Sequence, residues 1–106
     1  MNKKLGNRQS LTISYREYLL DSLRDPQEAA GYLNAVLAEG DAAAFTLALR
    51  DVAEAHGLDE LAAKPPLKRQ RLTRDLSARG NPKLAQVAAL LDALGMQLMV
   101  GTKRAA

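Results

Sequence analysis

Apolar residues return every three or four positions along most of this chain, the period of an amphipathic helix, and the pattern breaks where glycine or proline stands. The first stretch is predicted to start at Ser14. Ser14 can cap a helix and Glu17 follows three residues on, the capping-box spacing, with Tyr15, Tyr18, Leu19 and Leu23 as the apolar face up to Arg24. Asp25-Pro26-Gln27-Glu28 then restarts a helix: a capping Asp, a proline at the first helical position and an acid in the first turn. Its stripe is Ala29, Leu33, Val36 and Leu37, closed by Gly40. Asp41 caps the next helix, which carries Phe45, Leu49, Val52 and Ala53 and ends at Gly57. A short helix capped by Asp59 holds Leu61 and Ala62 and stops at Pro65, because the residue before proline avoids the α region. A further helix is expected from Lys68 to Ala78 on Leu72 and Leu76, and another after Gly80. In the latter Asn81 is the cap, Pro82 the first helical position, and Leu84, Val87, Ala88, Leu91 and Leu94 the buried face. Met96 to Val100 alternates and reads as a short strand, which needs a partner from a second copy or from another protein's sheet edge.

Charge sharpens this outline. Between Lys64 and Lys83 stand Lys64, Lys68, Arg69, Arg71, Arg74, Arg79 and Lys83 against one acid, Asp75. Between Glu17 and Ala63 there are ten acids against Arg24 and Arg50. A cationic run by itself is usually a solvated helix face. Here it coincides with a short helix, a tight Pro65-Pro66-Leu67 break and a second helix, the outline of a helix-turn-helix DNA reader over 59–78. Leu72 and Leu76 would point inward, leaving Lys68, Arg69, Gln70, Arg71, Thr73 and Arg74 outward. Arginine pairs with the two acceptors of guanine and glutamine with adenine in the major groove. Lys68, Arg79 and Lys83 are better placed on the phosphate backbone, where they position the protein without reading sequence. A domain of this size reads few base pairs, so a two-fold homodimer on a palindromic operator is expected.

Composition narrows the classes. With 106 residues, 47% of them hydrophobic and only 4% aromatic, one domain with a Leu-, Ala- and Val-rich core is expected over 14–100, between a mobile basic arm over 1–13 and a frayed tail over 101–106. The fold class is all-α, five to six helices, with the short C-terminal strand added. There is no cysteine, so no thiol chemistry. No apolar run spans a bilayer, and the first ten residues lack the apolar core of a signal peptide; a cytoplasmic protein is the expectation. The single histidine, His56, falls in the last turn of its helix, where a cation suits the dipole, and is read as a terminus residue. The carboxylates are scattered over caps and surfaces. No acid–base or metal constellation assembles, so neither an enzyme, a cofactor, a metal site nor a small-molecule substrate is expected.

From Ser14 to Val100 the chain resembles the antidote (antitoxin) proteins of bacterial addiction modules that carry a lambda-repressor-like, Xre-type helix-turn-helix. The resemblance rests on SYREYLLDSLRDPQEAAGYLNAVLAEGD, on FTLALRDVAEAHG, on the run Leu61, Ala62, Leu67, Leu72, Leu76, and on GNPKLAQVAALLDALGMQL. It implies a helical protein that neutralises a RelE/ParE-type toxin by direct binding and represses its own operon as a dimer. By position, Lys68, Arg69, Gln70, Arg71, Thr73 and Arg74 match the recognition helix, and Asn81 and Lys83 the loop near the DNA backbone. Many toxins of this class are basic RNA-cleaving enzymes, which the acidic upstream region would complement. The chain departs from the pattern at the turn, where Pro66 replaces a glycine, so the turn must be built differently. It departs also at Lys68, which forfeits about 1 kcal/mol of capping, and at Asp59 and Glu60, which set negative charge on a helix facing phosphate. Asp75 is spaced to pair with Arg71 and Arg79. These departures motivate an alternative: a toxin-binding interaction protein or stand-alone regulator with weak or absent sequence-specific DNA binding.

Overall fold

The computed structural model describes residues 8–77 and 79–103. Among them are six helices and no strand: α1 (Arg8–Ser22), α2 (Pro26–Ala38), α3 (Ala42–His56), α4 (Leu58–Ala62), α5 (Arg69–Asp75) and α6 (Leu84–Ala93). The two strongest start signals do what their chemistry predicts. The Asp25 carboxylate accepts from the Gln27 N–H at 3.0 Å, and Asp41 accepts from Ala43 and Ala44 at 3.0 and 3.1 Å, so each satisfies amides that the first turn leaves without partners.

α3 is the central element. It packs against α1, α2 and α4, and its Leu49 lines one small internal space with Leu72 and Leu76 of the α5 region and Val87 and Leu90 of α6. Leu49, Leu61, Leu72 and Leu90, from four different helices, are among the largest fully buried side chains. Each such leucine contributes roughly 1.5–3 kcal/mol through removal from water.

A polar network ties the outer helices to α3. Arg16 donates to Asp51 at 3.3 Å and to Glu54 at 2.6 Å, Arg50 donates to Glu54 at 3.4 Å, and the Tyr32 hydroxyl of α2 donates to Asp51 at 2.9 Å. Partial burial, with the bond to Asp51, raises the Tyr32 phenol to about 12. Because the folded value lies above the ordinary one near 10, this bond's contribution is complete below about pH 10 and is lost as pH rises through 12. Ultraviolet titration is therefore expected to show a tyrosine step near pH 12 that Tyr32→Phe removes.

Several expectations are corrected. α1 starts at Arg8, so Ser14 lies within the helix backbone and not at its cap, and the arm expected over 1–13 is helical from Arg8 on; residues 1–7 lie outside the described ones. Tyr15 and Tyr18 are exposed, at 67% and 73%, and are not part of the buried face. That face carries Leu19 and Leu23, with Arg16 one turn before them. Leu37 is about half exposed. Asp59 sits inside α4 and does not cap it; the N-cap is Gly57, at φ 112°. α6 begins at Leu84 with Lys83 as N-cap, not at Asn81-Pro82. Pro82 instead lines the interior beside Leu72 and Leu76. Leu84 and Ala88 are exposed, and Val87, Leu90, Leu91 and Leu94 form the buried face. Met96–Val100 forms no strand: the Met96 N–H returns to Leu91 O at 2.8 Å, and no neighbouring chain segment offers a ladder. Of the tail expected over 101–106, residues 104–106 are outside the described ones.

Candidate nucleic-acid interface

The connection from α4 to α5 is built without a left-handed residue. Lys64 to Leu67 form a turn closed by the Leu67 N–H on Lys64 O at 2.9 Å, with a cis peptide between Pro65 and Pro66. Leu67 then drops into the core, and the Lys64 ammonium donates to Ala93 O at the end of α6, 3.3 Å away. The missing glycine is thus replaced by a proline turn anchored on both sides.

α5 runs from Arg69 to Asp75, shorter than the Lys68–Ala78 span predicted, and Ala78 lies outside the described residues. Lys68 is its N-cap, with extended backbone and no side-chain capping bond, as its chemistry requires. Leu72 and Leu76 are buried, so the helix is held by its apolar stripe and not by its ends. Gly80 closes the following turn, its N–H on Ser77 O at 2.8 Å. A Cβ at Gly80 would run into the Asp75 carbonyl, so only glycine fits there.

The stripe leaves every proposed reader outside. Lys68, Arg69, Gln70, Arg71, Thr73 and Arg74 are exposed. Lys68, Gln70, Arg71 and Arg74 together line one open depression of about 370 Å³. Arg79, Asn81 and Lys83 are exposed on the connection to α6, beyond that depression. Asp75 pairs with Arg74, Nε to Oδ1 at 3.4 Å, and not with Arg71 or Arg79 as the spacing suggested.

Arg69 is held differently. Its guanidinium is paired with the Asp59 carboxylate of α4, the two helices' packing bringing together residues ten apart in sequence. Periodicity within a single helix could not reveal that contact, although the unusual acid at position 59 was visible. The pair is solvent-exposed on both sides, so it is weak, yet it competes with any phosphate or base for Arg69. Asp59→Asn is expected to tighten DNA binding roughly two- to fivefold by releasing Arg69. Fluorescence anisotropy measures the change; unaltered affinity would show that Arg69 makes no DNA contact even when released.

Among the described residues no group of histidine or acidic side chains could hold a metal ion, and no helix is long and apolar enough to cross a membrane.

Fold and surface together define a small all-helical protein with an exposed cationic helix seated on its core. A family model described as "Probable addiction module antidote protein" matches residues 15–102, nearly the whole helical region. The chain belongs to that family. A protein of Haemophilus influenzae, described only as an uncharacterized protein, is 33% identical over 84 residues, covering 79% of this chain and 87% of its own length. No solved structure matches. That description is of probable antidotes, a role that implies a toxin partner.

Proposed function

We propose that this protein is the antitoxin of a type II toxin-antitoxin module, neutralising a RelE/ParE-type toxin by direct binding. In the same proposal it represses its own operon through a lambda-repressor-like, Xre-type helix-turn-helix made of α4, the proline turn and α5, and acts as a cytoplasmic homodimer on operator DNA. The observation that carries the DNA half is the face of α5: Lys68, Gln70, Arg71 and Arg74 share one open depression while Leu72 and Leu76 bury the opposite side. Cations and an amide on a rigid helix are the groups that contact phosphates and base edges. Lys68, Arg79, Asn81 and Lys83 are assigned to the DNA backbone, and Arg69, Gln70, Arg71, Thr73 and Arg74 to the groove.

A second reading has its own support. Asp59 engages Arg69, and Glu60 adds an exposed acid on α4, which favours a toxin-binding protein with weak sequence-specific DNA binding. Anisotropy with the protein's own upstream DNA and a scrambled control separates the two. The repressor reading expects tighter, salt-sensitive binding to the native sequence. Equal, weak binding to both would leave the toxin-binding reading.

A further inference from the structure

A second groove lies away from α5. It holds about 390 Å³ and is lined by Leu33, Leu37, Phe45, Leu91, Met96 and Leu98, among others, with no charged side chain in its wall. One side of it is the segment Met96–Val100 that the sequence marked as a strand, of which Met96, Gln97, Leu98 and Met99 line the groove. Met99 is 82% and Val100 fully exposed, and residues 97–103 make no backbone–backbone hydrogen bond among the described residues. No charge stands from Ala93 to Thr102, in a chain where a quarter of the residues are charged.

We propose that this face is a two-fold interface between copies of this chain: the Gln97–Val100 segments pair antiparallel, and Met99 and Val100 of each copy fill the groove of the other. The proposal deepens the homodimer of the reading above and rests on it. Four observations select a second copy as the occupant. The apolar ridge and the apolar groove are adjacent on one chain, so a single two-fold operation satisfies both at once, which is the defining property of an isologous contact. A segment that makes no backbone–backbone hydrogen bond leaves its N–H and C=O groups open to strand pairing, and two identical segments can pair antiparallel about a two-fold axis. The alternation of Met96 to Val100, idle in the single chain, acquires a ladder. Charge agrees as well: the ridge runs on to the cation Lys103, while the acids Glu28 and Glu39 lie within two residues of the groove-lining Gln27 and Leu37. The placement also leaves α5 uncovered, since none of its residues lines the groove.

The test is sedimentation equilibrium of the full chain without DNA, for wild type, Met99→Asp/Val100→Asp and Leu37→Asp. The wild type is expected to be a dimer. Each variant should raise the dimer dissociation constant at least about 30-fold, the loss that marks a central anchor. Helical circular dichroism should stay unchanged, because the substituted side chains are exposed. Leu37→Asp attacks the groove and the double variant the ridge, so the same loss from both identifies one interface. A monomeric wild type would overturn the proposal. So would variants that remain dimeric as tightly as wild type, and variants that remain dimeric but no longer bind the product of the neighbouring gene, which would give the groove to a toxin. DNA affinity is read separately through α5, so failure of this interface and failure of the repressor reading are distinct results.

Discussion

Replacing Arg69 and Arg74 together with alanine is expected to weaken operator binding by roughly 100-fold and to abolish most of the preference for the operator over scrambled DNA. The estimate follows from two rules. A well-placed arginine–base pair is worth about 1–3 kcal/mol, near tenfold for each. The phosphate contacts assigned to Lys68, Arg79 and Lys83 set the slope of log affinity against log salt, about 0.9 for each, so that slope should change little. Arg69 and Arg74 keep 56% and 71% of their side-chain surface exposed; Asp59, the partner of Arg69, is exposed as well, whereas Asp75, the partner of Arg74, keeps only 17%. Stability should therefore move by about 1 kcal/mol at most, nearly all of it from the Arg74 substitution. Lys68 and Arg71 remain in the double variant, so residual, sequence-independent binding should persist. Anisotropy titrations at several salt concentrations, with a thermal melt as folding control, measure all of this. Unchanged binding would remove α5 from the DNA interface.

The largest stability effect is expected at the opposite extreme of exposure. Leu49 is completely buried where α3 meets Leu72, Leu76, Val87 and Leu90. Truncation to alanine removes buried methyl groups and leaves a cavity between three elements, at a cost of about 2–5 kcal/mol. For a chain of this size that lowers the melting temperature by roughly 10–30 °C. Leu47→Ala, two residues away on the same helix but 41% exposed, should change it by only a few degrees. Because Leu49 supports the stripe under α5, Leu49→Ala should also weaken DNA binding once temperature approaches the lowered midpoint. The Arg69/Arg74 double variant weakens it at every temperature, and that contrast separates a lost scaffold from lost contacts.

What the sequence made legible was local chemistry. Asp25-Pro26 and Asp41 place their own helix starts because the capping carboxylate, the proline and the amides it serves lie within three residues. The stripe of Leu72 and Leu76 likewise determined which side of α5 faces outward, and with it the exposure of the candidate DNA contacts from Lys68 to Arg74. What failed was decided at a distance. Tyr15 and Tyr18 follow helical spacing but lose the buried face to Leu19 and Leu23, because the Arg16 contacts with Asp51 and Glu54 orient α1 on α3. Asn81-Pro82 has the composition of a helix start, yet Pro82 is used as packing against α5 and α6 and the helix begins two residues later. The engagement of Arg69 by Asp59 required knowing how α4 lies on α5. Met96–Val100 carries the alternation of a strand but meets no partner strand among the described residues.

The central claim is that this protein is an antidote, and the most direct measurement is growth of cells expressing the product of its neighbouring gene, with and without this chain. Arrest by that product alone is expected, with restored growth when wild type is co-expressed and recovery of the two proteins as one complex. The Arg69→Ala/Arg74→Ala variant should restore growth as well as wild type, since its loss is confined to DNA. A neighbouring product that arrests growth regardless of this chain, with no complex recovered, would contradict the account.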